Sequence, residues 1–268
     1  MRSLVYLLIA ALCACDSKAP YPESRDERAH VFYEAEEFYA KHPEKAVFLN
    51  GGDAREAYTF RMRPIGALLA IPKNHLVVVT HQFQPWAKEI YDVASIVALL
   101  PDFGPRTAEN SERLMKNSSL DRLTLTLGSL GNDRSAIPYH LAVKHGTLVL
   151  DTSRSSPDVP VYRRSFDTAG TEPFFALPNS SKFRSPLGNE IVIICPPNGR
   201  EPRQSQYPIG DCMVELALPP SYFPGVSAQQ FGGVAGVRLY YYFNEKYLPQ
   251  WPALHARLLV FLRGFVQQ

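Results

Sequence analysis

Residues 236–265 read GVRLYYYFNEKYLPQWPALHARLLVFLRGF, and this stretch decides the fold class. Its first half alternates as a strand does, and one side of that strand is apolar: Val237, Leu239, Tyr241 and Phe243. Its second half repeats apolar residues every three or four positions, as a helix does: Trp251, Leu254, Leu258, Phe261 and Phe265. A strand with one apolar face followed by a helix with one apolar stripe predicts a helix that packs on a sheet.

The chain before this unit contains many short segments with strand character, separated by turns that hold most of its 23 prolines. They lie at residues 58–63, 66–71, 76–80, 95–100, 121–130, 159–166, 172–178, 189–195 and 212–218. Segment 121–130 predicts a half-buried strand, and segment 139–152 predicts a hairpin with its turn at His145–Gly146. A further helix is predicted over residues 24–42, where Ser24 and Glu27 form a capping box and Pro43 follows.

These elements predict an α+β fold, mostly an antiparallel sheet, with an N-terminal helix and a C-terminal amphipathic helix packed on it. The polar stretch 153–158 is a candidate boundary between two subdomains of this body.

Composition excludes several classes of protein. At 46% hydrophobic and 12% aromatic residues, the chain can build a proper core and does not have the composition of a disordered protein. Its 28 basic and 26 acidic residues leave a net charge of +2, with no run of five like charges, so we expect no nucleic-acid partner.

The opening residues have the pattern of an export signal. Arg2 precedes a short apolar run over residues 4–14, which falls well below the roughly 20 residues that span a bilayer as a helix. Leu12, Cys13, Ala14 and Cys15 then resemble the lipobox of bacterial lipoproteins. The resemblance implies a signal peptide over 1–14, acylation of Cys15, a lipidated tether over 15–22, and a globular body over 23–268.

This resemblance also implies a location. The chain would be anchored in the bilayer through Cys15 and would face the periplasm of a bacterial envelope. Asp16 resembles an inner-membrane retention signal, but the choice between inner and outer membrane stays open. The alternative is an ordinary secreted protein with a leftover thiol at Cys15.

Two cysteines remain in the body, and an even pair in an exported chain predicts a disulfide between Cys195 and Cys212. Two alternatives were weighed. The first is two free buried thiols. The second is a metal site, which no nearby histidine would complete.

Catalytic and metal-binding patterns are absent from the sequence, and we assign no catalytic residue, metal ligand or cofactor. The chain lacks the Gly-x-Ser-x-Gly pattern of many serine hydrolases. His75 and His81 flank a predicted strand, and with His140 they would support a hydrolase if the fold brought them together beside a carboxylate. His255, beside the apolar stripe of the last helix, is expected to be packed or on the surface.

Tyr240 and Tyr242 point away from the apolar side of the last strand, so they are candidates for a binding surface. The alternative is that a second packed sheet covers them.

The layout as a whole resembles immunity lipoproteins that protect bacteria from toxins delivered by their neighbours. The shared features are a lipobox, an α+β body, a segment bounded by Cys195 and Cys212, and VRLYYYFNEKYLPQW (237–251) leading into a final amphipathic helix. The resemblance implies a non-catalytic protein-binding module whose partner is a secreted effector. Two alternatives are a periplasmic hydrolase and a structural lipoprotein of envelope assembly.

Overall fold

A computed structural model describes residues 56–63, 65–84, 89–107, 109–110, 121–167, 172–197 and 211–267. The predicted signal peptide, the Cys15 tether and the helix predicted over residues 24–42 all lie outside the described residues.

The described residues form strands, two α-helices and three short 3₁₀ helices. The strands are β1 (Ala57–Met62), β2 (Ala67–Pro72), β3 (Leu76–Gln84), β4 (Glu89–Leu99), β5 (Arg122–Gly131), β6 (Leu148–Leu150), β7 (Val161–Arg164), β8 (Phe174–Ala176), β9 (Ile193–Cys195), β10 (Asp211–Leu218) and β11 (Gly236–Asn244). The α-helices are α1 (Ile137–Lys144) and α2 (Trp251–Arg263), and the 3₁₀ helices are Pro220–Tyr222, Ala228–Phe231 and Glu245–Gln250. None of the helices in this part of the chain has the length and apolarity needed to cross a membrane.

Nine strands form one sheet in the order β3-β4-β5-β11-β10-β9-β8-β7-β6. Every neighbouring pair in it is antiparallel. Strands β1 and β2 form a separate antiparallel hairpin. The predicted α+β class with a mostly antiparallel sheet is therefore confirmed. Residues 153–158, the candidate boundary, connect β6 to β7 within the large sheet.

One face of the large sheet, which we call the core face, is covered by α2 and the β1–β2 hairpin. Leu69 in β2 forms an isolated bridge with Val266, and the Ala70 amide donates to the Phe265 carbonyl at 2.7 Å. These bonds attach the hairpin to the segment that follows α2. Apolar residues of the hairpin, the sheet and the helix form one buried cluster.

Strand β11 alternates as the sequence predicts. Val237, Leu239, Tyr241 and Phe243 are all buried in the core cluster. The apolar stripe of α2 differs from the predicted one. His255 and Leu262 are also buried on the helix, whereas Phe261 is partly exposed.

The structure contains the predicted disulfide between Cys195 and Cys212. Cys195 ends β9 and Cys212 lies near the start of β10, and both are buried in the core cluster. The bond therefore joins two neighbouring strands at the point where the chain enters and leaves residues 198–210.

Strand β5 is more buried than the half-buried strand that the sequence predicts. Its alternate residues Arg122 and Thr124 are buried together with the leucines of the core face. The cause is its position inside the sheet, between β4 and β11, where the neighbouring residues Val97 and Tyr242 flank Thr124 on both sides.

The hairpin predicted over residues 139–152 is wrong in its first arm, which forms helix α1 instead. The Gly146 amide donates to the Val143 carbonyl at 3.0 Å, and the Thr147 amide donates to the Ala142 carbonyl at 2.9 Å. With Gly146 at φ +73°, these bonds form a Schellman motif, which ends a helix. Pro138 in the first turn and Gly146 after the last are the sequence signals that favour the helix.

A buried chain of hydrogen bonds joins α2 to β11. The Trp251 indole nitrogen donates to the Tyr241 hydroxyl at 2.9 Å, and that hydroxyl lies 2.8 Å from Nδ1 of His255. Burial lowers the pKa of His255 to about 4. In the unfolded chain this pKa returns to about 6.5.

This difference makes the stability of the fold depend on pH. Between pH 6.5 and 4 the unfolded chain binds a proton at His255 that the folded chain does not, so the free energy of unfolding falls as the pH is lowered. We expect His255 to contribute a loss of about 3 kcal/mol over this window, measured by urea unfolding at several pH values.

The matched control is His255→Gln, which cannot titrate. Asp211, whose pKa is raised to about 7 by burial, acts in the opposite direction over the same window but is present in both proteins. The difference between wild type and variant should therefore isolate His255. Parallel pH profiles for the two proteins would contradict the assignment.

Candidate functional site

The face of the large sheet opposite α2, which we call the outer face, carries a continuous row of mostly apolar side chains. Cross-strand pairing places them side by side from β6 to β4: Leu150, Tyr162, Phe175, Ile194, Met213, Tyr242, Thr124 and Val97. Phe175 and Met213 are buried, whereas Tyr162, Ile194 and Tyr242 are partly exposed. We call this set the outer row.

Tyr240 and Tyr242, the residues that the sequence analysis proposed for a binding surface, both lie on the outer face and are partly exposed. Tyr240 pairs with Glu215 and Tyr242 pairs with Met213 across the β10–β11 ladder. The β1–β2 hairpin lies on the core face. Among the described residues no second sheet covers these tyrosines.

Glu215 is the centre of a charged cluster on the outer face, formed with Arg134, Arg238 and Tyr240. One Glu215 oxygen lies 2.5 Å from Nη2 of Arg134, and the other lies 3.5 Å from Nε of Arg238. Arg238 Nη1 also donates to the Tyr240 hydroxyl at 3.1 Å. The Glu215 side chain is 11% exposed, against 31% for Arg134 and 34% for Arg238.

The pKa values of two residues in the cluster, Tyr240 and Arg134, are both raised. Burial raises the pKa of Tyr240, and the charge and hydrogen bond of Glu215 raise it further, against the opposing effect of Arg238. Burial works against the charged form of Arg134, but Glu215 and a hydrogen bond with Tyr139 raise its pKa overall. Two guanidinium groups thus share a single carboxylate, which gives the cluster a net positive charge.

The position of Arg238 also depends on a neighbouring glycine. A Cβ added at Gly131, on the neighbouring strand β5, would lie 2.5 Å from two nitrogens of the Arg238 guanidinium. The absence of a side chain at Gly131 therefore lets the guanidinium lie against the strand. A larger residue there would displace it.

Helix α1 is attached to the outer face by the loop before it. Asp133 accepts hydrogen bonds from the Ala217 amide at 2.7 Å, from Nδ2 of Asn189 at 2.9 Å, and from the Ser185 hydroxyl. The short strand β9 pairs with β10 at Met213 and Val214. Farther along β10, beyond these two pairs, the Ala217 amide donates to Asp133. This bond fixes the loop from which α1 begins.

Asp211 and Arg122 are two buried ionisable groups at one end of the outer face. Asp211 pairs with Asn244 on β11, which is adjacent to the β5 end that carries Arg122. Burial raises the pKa of Asp211 to about 7, and the charge of Arg122 works in the opposite direction. These groups lie inside the fold and are not presented to a ligand.

The histidines of the hydrolase alternative do not form a cluster. His75 is buried, with Nδ1 3.0 Å from the Val97 carbonyl and its ring against Phe261 of α2. His140 lies on α1, at the opposite end of the strand order, and its Nε2 is 2.7 Å from Glu190. His81 lies in β3, where its backbone pairs with Asp92.

A surface groove of about 410 Å³ lies between α2 and the turn at residues 101–104. Its lining is mostly apolar: Asp102, Phe103, Ala256, Arg257, Val260 and Phe261. Asp102 and Arg257 pair with one another at 3.3 Å, so the groove has no nucleophile with an adjacent base.

Arg134, Glu215 and Arg238 were not predicted as site residues from the sequence. One signal was available, because Glu215 interrupts the apolar strand CMVELAL (212–218). Arg238 lies on the side of GVRLYYYF (236–243) that also carries Tyr240 and Tyr242. A charged residue within an otherwise apolar strand usually needs a partner. The partner Arg134 could not be identified, because it follows a different strand.

The fold and this face together define an α+β protein with an exposed aromatic and basic sheet surface. The chain is similar to the solved structure of Smlt3025, an immunity protein of the Stenotrophomonas maltophilia type IV secretion system. The two are 11% identical with a TM-score of 0.44, and the match covers 80% of this chain and 94% of that one. At this low level of similarity, the match does not indicate what this chain binds. No protein-family model and no curated protein sequence matches the chain.

The Glu215 cluster can be tested by removing its carboxylate. Glu215→Gln leaves two neighbouring guanidinium groups without their shared partner, so we expect the free energy of unfolding to fall by about 1–2 kcal/mol. The arginines are partly exposed, and solvent screening limits the loss. Urea unfolding at neutral pH measures it.

Glu172→Gln is the matched control, because Glu172 pairs with Arg164 at 3.8 Å on the exposed surface. We expect this second substitution to change stability by less than about 0.5 kcal/mol. Equal losses of unfolding free energy in the two variants would show that Glu215 contributes no more to stability than a carboxylate in an exposed ion pair.

Proposed function

We propose that this chain is a lipid-anchored protein of the bacterial envelope that faces the periplasm, binds a secreted protein effector and neutralises it. The protein acts as a binding module and not as an enzyme. It is an immunity lipoprotein in this proposal, and it needs no cofactor and no nucleic acid.

The observation that carries the proposal is the outer face of the sheet. It presents Tyr240, Tyr242 and Arg238 as partly exposed side chains on strands, and tyrosine and arginine are the residues that contribute most at protein interfaces. Glu215 pairs with the Arg238 guanidinium before any partner arrives, and Gly131 leaves room for that guanidinium against the strand. Side chains that are already ordered lose little entropy on binding, which favours affinity.

The hydrolase alternative has no comparable support in the described residues. His75 is packed against Phe261, and His140 lies with Glu190 at the far end of the sheet, so the fold does not bring these two histidines together. Neutralisation by binding requires only a surface that covers the effector, and the outer face offers one.

The lipid anchor follows from the resemblance of residues 12–15 to a lipobox. Acylation of Cys15 would hold the protein at the membrane surface, where an effector arriving from a neighbouring cell must pass. We expect Cys15→Ser to release the protein from the membrane fraction without changing its thermal unfolding midpoint.

Fractionation of cells followed by detection of the chain in membrane and soluble fractions measures this release. Cys13→Ser is the matched control, because residue 13 lies on the signal side of the cleavage point and should leave the anchor intact. A Cys15→Ser protein that stays fully in the membrane fraction would refute the anchor.

The neutralising function is tested by deleting the gene and growing the deletion strain with its toxin-secreting parent. We expect the deletion strain to lose the competition, and the reintroduced wild-type chain to restore its survival. A Tyr242→Ala chain should restore survival poorly, because loss of an interface aromatic weakens binding by about tenfold or more.

The folded state of the Tyr242→Ala protein is checked by its circular dichroism and unfolding midpoint. Equal survival of the deletion strain and the parent would count against neutralisation. Turnover of a small molecule by the purified chain would instead favour the hydrolase.

A further inference from the structure

Helix α1 has its apolar residues on the solvent side. None of its eight residues is buried, and Ile137 and Leu141 are 67% and 48% exposed. Residues spaced by four and three lie on one side of a helix, so Ile137, Leu141 and Lys144 form a single outward stripe. We call these three residues the α1 stripe.

The opposite side of α1 rests on the sheet, which fixes the stripe in place. The Tyr139 ring lies 5.0 Å from the ring of Phe175 in the outer row. The hydrogen bonds of Asp133 hold the start of the helix, and the Thr147 hydroxyl donates to the Ala142 carbonyl at 2.9 Å near its end. The stripe therefore stands on a helix that is attached to the sheet at its start and capped at its end.

Positive charge borders the α1 stripe at both ends. Lys144 forms no ion pair with a described residue, and Arg134, which precedes the helix, shares Glu215 with Arg238. The nearby carboxylate of Glu190 is already paired with His140. The region thus offers an apolar strip between Lys144 and the net-positive Glu215 cluster.

We propose that the α1 stripe is the main contact by which this protein binds its effector, an inference that rests on the proposed function. The surface it fits is an apolar groove bordered by carboxylates on the effector protein. Two side chains spaced by four on one helix face enter such a groove together, and the bordering carboxylates pair with Lys144 and Arg134. The partly exposed Tyr240 and Tyr242 extend the contact along the same face.

A second copy of this chain does not fit the same place. A twofold pair requires each surface to match itself, and two α1 stripes facing one another would bring Lys144 and the net-positive Glu215 cluster against their own copies. Like charges in a desolvated contact disfavour such a pair.

The test uses the deletion strain grown with its toxin-secreting parent and supplied with full-length variants. We expect Ile137→Asp and Leu141→Asp each to weaken effector binding by about tenfold or more, so that survival falls toward that of the deletion strain. Lys144→Glu should lower survival more than Lys144→Gln, because reversal of the charge adds repulsion to the loss of attraction.

Val260→Asp is the matched control, since Val260 is an aliphatic residue that is 70% exposed on helix α2. This variant should protect as well as the wild type. Circular dichroism and thermal unfolding of each purified protein separate loss of binding from loss of fold.

The outcomes distinguish this inference from the function on which it rests. If the wild-type chain restores survival and Ile137→Asp restores it equally, the α1 stripe is not the main contact with the effector, although the proposed function stands. If Val260→Asp fails as Ile137→Asp does, the effect is not specific to α1 and the inference is overturned. If the wild-type chain does not protect, the proposed function fails first.

A membrane contact is the competing explanation for exposed apolar residues beside lysine. It is tested with the Cys15→Ser chain and vesicles of phosphatidylglycerol and phosphatidylethanolamine. Binding to these vesicles that Ile137→Asp abolishes, together with unchanged protection, would overturn the inference in favour of the bilayer. Absence of vesicle binding together with lost protection would support it.

Discussion

The position of α2 on the sheet depends on the hydroxyl group of Tyr241. This group accepts a hydrogen bond from Trp251 and lies against Nδ1 of His255, inside a core from which water is excluded. A buried polar group costs free energy unless it is paired, so this placement of the helix is favoured because it pairs the Trp251 indole nitrogen and Nδ1 of His255 with one hydroxyl. With α2 and the β1–β2 hairpin on the core face, the outer face is the side of the sheet where α1 and the Glu215 cluster meet solvent.

The pattern of strand pairing determines which residues lie on the outer face. Strand β9 pairs with only part of β10, and Asp133 occupies a position on β10 beyond it. This bond places Arg134 over Glu215 and starts α1 above Phe175. The incomplete pairing of β9 with β10, inside the sheet, thus leaves room for a basic and aromatic surface, where the proposed binding residues lie together.

Part of the fold could be predicted from the sequence, because the signals for β11 and α2 are local. The alternation in β11 and the three-and-four spacing in α2 each lie within one segment, and both elements formed where they were expected. Helix α1 was misread as a strand, since alternating apolar residues over a short segment fit either period. The turn at His145–Gly146 was real, but its left-handed glycine ends a helix instead of joining two strands.

The sequence by itself determined the α+β class, the strand faces of β11, the pairing of Cys195 with Cys212 and the candidate tyrosines Tyr240 and Tyr242. Each of these depends on residue type and spacing along the chain. Only the tertiary structure decided that Glu215, Arg134 and Arg238 form one cluster, and that the apolar residues of α1 face outward. Those facts depend on which strands are neighbours and in what register, and one sequence without its fold does not contain that information.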